Sequence, residues 1–531
     1  MFYVLHVLLW VITCYCIHPS IAVNNGTYLQ QRAKLLLTEH SMRTGGKIEL
    51  TDKEKTVNTV LMNHKSEEIR HGKKTGFYPA ALHFFYSKAY IEDSEIYDIV
   101  RRMPKGAALS LHDVTMVDVD WLVKNVTYRP NAYMCFDQTT GKLHFHFFNT
   151  LPMSQDCPWK TLESWRLAYG NTTEFDEVLY RHMTLNVPDP HKAYPTQNIV
   201  WQKFLDALDS ATGLIMYAPV FKDYFYEALK EFYEDNVQYI EVRCLLSEVY
   251  ELDGTTHDKD WIVETYSEVA EKFVKDFPDF SGAKIIYSVI RNVPKVDVGL
   301  AVKEAIRLHQ KYPMHFVGFD LVGQEDPGHP LLYYLNELLY PSQQNPPIDL
   351  KYFFHAGETD WEGTHIDNNL IDALLLNSSR IGHGFAITKH PEALELIREK
   401  DVPLEVNPIS NQVLGLLDDL RVHPASFLLA NGYPVVISSD DPSVWGATGL
   451  SDDFYEVFMG VAGENADLAT MKQLALDSIR YSAMTDTEKK AAVDLFNSKW
   501  MKFIDETIQK YVKKPVEIYD EFKEVEEITG Y

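Results

Sequence analysis

The sequence is poor in positive charge. It has 50 Lys and Arg against 76 Asp and Glu, a formal net charge of -26. Phosphate binding needs basic patches, so this balance argues against a nucleic-acid partner and fits a soluble, self-repelling surface. Long apolar runs are also missing. Beyond the first residues, no segment is long and apolar enough to span a bilayer. No glycine-rich phosphate turn follows the first predicted strand, which argues against a doubly wound dinucleotide fold. There is no internal repeat and no low-complexity tract. Cysteine is scarce, with five in 531 residues.

What is present is apolar and aromatic, at 46% and 13%, enough to bury a large core. The opening "MFYVLHVLLWVITCYCI" carries no acidic residue, and Ser20 and Ala22 supply the small residues of a cleavage site. It predicts a signal peptide over 1–22, although a charged first segment is lacking. A membrane anchor is the alternative, and a run of ~17 residues is at the short limit for one. Cys14 and Cys16 would leave with the signal. Cys135 and Cys157 flank a hairpin-like stretch, and a disulfide between them is expected in a secreted, extracellular protein. Cys244, inside "YIEVRCLL", is expected to be a buried free thiol. Sequons at Asn25, Asn125, Asn171 and Asn377 agree with secretion.

Residues 23–102 carry apolar residues at helical spacing. Residues 103–120 contain a first strand. Residues 121–186 hold the two cysteines and two sequons and form an expected insertion. Residues 187–512 alternate strand and helix patterns, and 513–531 form an acidic tail. Eight β-rich runs stand out: 106–112, 237–244, 283–290, 315–323, 351–358, 379–384, 402–408 and 433–441. Eight strands alternating with helices predict an α/β fold, a (β/α)8 TIM-type barrel.

Polar residues gather at the C-terminal ends of these runs: His112 and Asp113, Gln324 and Glu325, His355 and Glu358, His383, Asn407, and Asp440 and Asp441. In a barrel those ends converge on the active-site face. One histidine at a strand end is more often structural. Several on successive strands are harder to explain that way. His112, His355 and Asp440 make a nitrogen and oxygen set suited to zinc. His383 could then serve as a base or an electrostatic partner to a metal-activated water, with Glu358 as a proton donor.

The stretches "MPKGAALSLHD", "GFDLVGQED", "FFHAGETDWEGT", "RIGHGFAITKHP", "EVNPISNQVL", "VISSDDPSVWGA" and "LSDDFYEVFMG" resemble the secreted adenosine deaminase 2 family, the adenosine-deaminase-related growth factors. The resemblance covers nearly all of the mature chain. It implies hydrolysis of adenosine to inosine and ammonia, one Zn2+ per chain, a homodimer built on the N-terminal helical segment, and an insertion that meets a cell-surface receptor or glycan. By position it implies metal ligands at His112, His355 and Asp440. It gives Glu358 the purine N1, His383 the attacking water, Asp441 the purine N7 and Gly323 a backbone purine contact. Asp113 and Trp201 fall at the ribose, although a tryptophan alone reads as a core aromatic. The Pro-Cys-x-x-Cys signature of the cytidine-type zinc deaminases is absent.

The chain departs from the family pattern in three places. The family's first strand ends His-x-His, with both rings on one face because strand side chains alternate. Here Ser110 replaces the first histidine, and a neutral, short hydroxyl is a poor zinc ligand. Val289 and Ile290 stand where the family has an Asp-His pair before Arg291. His191 falls where the family tends to place a glutamate near the ribose. These changes predict reduced or lost deamination. A fully active deaminase, a silent growth factor or nucleoside-binding protein, and a barrel hydrolase of another purine are the alternatives.

Overall fold

The computed structural model describes residues 25–151 and 157–512. The expected signal peptide and acidic tail lie outside the described residues. Among those described, no helix is long and apolar enough to cross a membrane.

The chain opens with helices α1 (Asn25–Met42) and α2 (Asp52–Thr75). Thr51 and Glu54 cap the start of α2 reciprocally, and Gly76 ends it in the left-handed region at φ 76°. Two shorter helices, Phe84–Glu92 and Glu95–Arg102, complete the expected helical segment. α1 buries none of its residues. α2 packs on the C-terminal helix Asp486–Tyr511, where buried Glu54 accepts from Trp500 Nε1 at 2.7 Å.

Strands β1 (Gly106–His112), β2 (Val237–Cys244), β3 (Ala283–Ile290) and β4 (Phe316–Val322) pair in parallel in that order. So do β5 (His355–Ala356), β6 (Ile381–His383), β7 (Leu404–Val406) and β8 (Val435–Ile437). Two seams join the halves. Phe319 N–H donates to Lys351 O at 3.0 Å and Phe353 N–H to Phe319 O at 3.1 Å. At the other seam Asp440 N–H donates to Ser110 O at 3.0 Å and His112 N–H to Asp440 O at 3.3 Å. The Ser438 hydroxyl fills a missing rung there: it donates to Ser110 O at 2.7 Å and accepts from Ser110 N–H at 2.9 Å. The eight predicted runs thus become a closed parallel barrel.

The lumen is not wholly apolar. Arg243 bonds Asp320 at 2.7 Å and Glu405 at 2.6 Å, and Arg380 bonds Glu405 at 2.6 Å and Glu241 at 2.5 Å. All five side chains are buried. Removing one partner from such a set leaves an uncompensated charge, at about 3–5 kcal/mol.

Between β1 and β2 the insertion forms a small antiparallel sheet, Leu143–Phe147 beside Ala132–Phe136 beside Lys160–Thr161, followed by helices Leu162–Tyr169 and Thr172–His182. The Cys135–Cys157 disulfide is formed, with Cα atoms 5.7 Å apart. Cys244 is a buried free thiol.

Candidate active site at the barrel mouth

β1 delivers His112 to the mouth, and β5 delivers His355. β8 runs out at Ile437, and Asp440 follows it in the left-handed region at φ 59°. Such a conformation in a non-glycine residue is strained, and strain of this kind concentrates at functional sites. His383, at the end of β6, shares it at φ 61°. One ligand atom from each of His112, His355 and Asp440 lies within 4.8 Å of the others. His112 Nε2 is 3.1 Å from Asp440 Oδ1.

The surroundings prepare this cluster for a cation. His355 Nδ1 donates to Asp320 Oδ2 at 2.7 Å, leaving Nε2 free to act as a ligand. Asp320 also accepts the His355 N–H at 3.0 Å and the Arg243 Nε–H at 2.7 Å. Ser410 Oγ donates to Asp440 Oδ2 at 2.8 Å, while Oδ1 faces His112. Burial pushes Asp440 upward, but His383 and His112 outweigh it and hold the carboxyl well below the usual range. Burial opposes charge on His112, yet Asp441 and Asp440 raise its pKa to about 9. Carboxylates that favour a proton there favour a metal cation in the same way. The donor set therefore fits a divalent metal with three protein ligands.

Ser110 sits one pleat below His112, fully buried, and its hydroxyl has no hydrogen-bond partner. It does not line the cleft.

A cleft of about 640 Å³, counting its open mouth, surrounds the cluster. Asp113, Trp201, Gly323, Glu358, His383 and Asp441 all line it, so nearly all the predicted site residues meet there. Gly357, at φ 76°, turns the chain between His355 and Glu358, and a Cβ on it would sit 2.8 Å from Leu370 Cδ1. Glu325 braces this turn, accepting from Gly357 N–H at 3.1 Å and Glu358 N–H at 2.6 Å. Burial, with Asp440 and Glu325 nearby, pushes the Glu358 pKa well above the ordinary value, which favours its protonated form. Burial and Asp440 also push Asp441 upward, and Thr115 Oγ1 donates to it at 2.6 Å. Burial pushes His383 down to about 3, so its ring is neutral.

The cleft is two-sided. The ends of β1, β5, β6 and β8 supply the acidic groups and the histidines, while Leu245, Ile290 and Val322 follow or end β2, β3 and β4, with Arg243 and Ser288 deeper on β2 and β3. Trp201 and Phe204, from helix α3 (Gln197–Ile215), complete the apolar side. Ile290 lines the cleft as an apolar group. His191 does not line it, which corrects the sequence reading. Pro190 starts a short helix, Pro190–Ala193, that turns His191 outward against the rings of His83 and Tyr86, with its side chain 58% exposed. Asn407 is buried at the end of β7 but outside the cleft lining.

Some supporting residues went unread in the sequence. Asp320 and Arg243 carried a signal, a charge inside an otherwise apolar strand. Ser410, Asn411 and His423 carried none.

An adenosine deaminase family profile matches residues 183–499 and an adenosine/AMP deaminase N-terminal profile matches residues 7–100. Adenosine deaminase 2 of Homo sapiens is 49% identical over 483 residues, covering 91% of this chain and 94% of that protein. An adenosine deaminase of Phlebotomus duboscqi is 41% identical over 510 residues, covering 94% of this chain and 97% of that protein. An adenine deaminase of Arthrobacter aurescens shares the fold at a TM-score of 0.52 and 20% identity, over 75% of this chain and 99% of that one. So does an amidohydrolase of Burkhoderia ambifaria with bound Zn, at 0.51 and 16% identity, over 78% of this chain and 95% of that one. With the His112–His355–Asp440 set and the carboxylates around it in place, the chain belongs to the adenosine deaminase 2 family.

Proposed function

We propose that this chain is an extracellular, zinc-dependent deaminase of adenosine whose turnover is reduced because three side chains, not four, hold its metal. The observation that carries the reading is the buried, unpartnered Ser110 hydroxyl beneath a His112–His355–Asp440 set that is otherwise intact. His112, His355 and Asp440 would hold one zinc ion. Bound there, zinc supplies a Lewis acid that lowers the pKa of a water.

The chain's own groups do the rest. Protonated Glu358 donates to the purine N1 and makes the ring a better electrophile. Asp441, its pKa raised and its carboxyl anchored by Thr115, meets N7. Gly323 leaves room for a backbone contact with the base. Asp113 and Trp201 flank the sugar, and Trp201, Phe204 and Leu208 shield the reacting edge from bulk water. His383 faces the carboxylates of Asp440 and Glu358 at 3.6 and 3.8 Å.

The apolar wall of Leu245, Ile290 and Val322 favours a second reading, a protein that binds nucleosides and signals without turnover. α1 supports a homodimer: Leu29, Leu36 and Leu37 stand 55%, 48% and 71% exposed, and a second copy would cover them. The insertion is the proposed contact with a receptor or glycan. Asn25, Asn125, Asn171 and Asn377 are exposed, as glycosylation requires.

The test is adenosine turnover by the secreted protein, with zinc content measured on the same sample. Slow turnover that Glu358→Gln abolishes supports the reading. Zinc-loaded protein with no turnover favours the binding protein.

A further inference from the structure

His383 is held by a buried relay whose proton positions can be deduced from one end. The Ala425 backbone N–H lies 3.0 Å from His423 Nδ1. A backbone amide can only donate, so Nδ1 accepts. His423 is buried, and burial pushes its pKa down to about 3, so the ring is neutral. Its single proton is then on Nε2, which lies 3.0 Å from Asn411 Oδ1 and donates to it. That contact fixes which way the amide faces. Its nitrogen points at His383 Nδ1, 2.9 Å away, and donates. His383 Nδ1 is therefore an acceptor and carries no proton, which leaves the ring's proton on Nε2. Nε2 is the atom that faces the cleft, toward Asp440 Oδ2 and Glu358 Oε1.

We infer that Asn411 and His423 are positioning residues that lock His383 in the Nε2–H tautomer, so that it presents a hydrogen-bond donor to the reacting oxygen and not a base. This rests on the reading of the cleft as a deaminase site and assigns His383 one of its two conceivable roles. A donor aimed beside Asp440 stabilises negative charge as it builds on an oxygen attached to the purine carbon. Such preorganised donors are worth more than the same contact in water, because the site is buried. Both flanking residues are themselves buried, so neither can swap its partner for water. The relay enters the site from helix α4 (Pro408–Val413) and from the turn before the helix Ala425–Ala430, neither of which supplies a proposed ligand or substrate contact.

The test is nitrogen NMR of the full-length, zinc-supplemented protein with its histidines labelled, and His383→Asn identifies the signal. The expected spectrum has a pyridine-like Nδ1 and a pyrrole-like Nε2 for His383. Asn411→Asp puts an acceptor on both sides, so it should reverse the two nitrogens and lower kcat at least about 10-fold, with a smaller change in KM. His423→Gln, whose amide can still donate to Asn411, should keep the wild-type pattern. A pyrrole-like Nδ1 in the wild type, or an unchanged pattern in folded Asn411→Asp, overturns the inference. Should Asn411→Asp fail to fold, the wild-type spectrum decides alone. The readout does not require turnover: a silent protein with the expected spectrum refutes the deaminase reading only, and an active one with the opposite spectrum refutes the relay only.

Discussion

Replacing Ser110 with histidine perturbs the one first-strand position at which this chain departs from its family's metal set. The Ser110 backbone is fixed at both ends, to Ser438 and to Asp440, so a histidine there must project from the pleat that carries His112. Two energies oppose each other. Adding a ring at a fully buried position costs about 1–3 kcal/mol in overpacking. Removing a buried hydroxyl without a partner recovers about 1–3 kcal/mol. The metal-free variant should therefore unfold within a few degrees of the wild type. The metal equilibrium moves separately. Groups that merely orient ligands are worth 10–100-fold in metal affinity, and a direct ligand should be worth at least that, about 1.4–2.7 kcal/mol. The assay is competition for zinc against a chelator of known affinity, paired with thermal unfolding with and without zinc. Expected is a Kd for zinc at least 10-fold tighter and a larger zinc-dependent rise in Tm. An unchanged Kd in a folded variant would refute the reasoning, since position 110 would then not face the metal.

Other outcomes follow from the same geometry. Leu245, Ile290 and Val322 leave Asp113 as the charged partner of the sugar, so losing one ribose hydroxyl, as in 2′-deoxyadenosine, should weaken binding by no more than about threefold, whereas a site built to bond every hydroxyl rejects such analogues far more strongly. Calorimetry on both ligands checks this, and Ile290→Asn should shift preference toward adenosine. Glu456 is fully buried, neither of its oxygens has a hydrogen-bond partner, and burial with Asp452, Asp453 and Asp419 pushes its pKa well above the ordinary value. A carboxyl raised in the folded state contributes stability below the ordinary glutamate pKa and loses it as pH rises. Tm should therefore fall from pH 5 to pH 8, and Glu456→Gln should flatten that fall; equal slopes would contradict it. Leu37→Asp, on the exposed face of α1, should convert a dimer to a monomer in analytical ultracentrifugation without lowering Tm by more than a few degrees.

The barrel was legible because its strands are short apolar runs ending in polar residues, a pattern that burial on both faces and active-site convergence impose together. His112, His355 and Asp440 could be read for the same reason. What could not be read lies across space and not along the chain. The brace from Glu325 to the Gly357 turn spans two strands. Asp320 supports His355 from a neighbouring strand. The Asn411–His423 relay depends on where a short helix and a distant turn pack. His191 was misplaced because sequence position near a pocket residue says nothing about which way a one-turn helix faces.

The central claim is that a three-ligand zinc site still deaminates adenosine, weakly. The most direct measurement is adenosine turnover as zinc is titrated into chelator-stripped, secreted protein. The account predicts activity that rises with added zinc, saturates near one ion per chain, and is lost in Asp440→Asn. One tightly retained zinc per chain with no detectable inosine would contradict it.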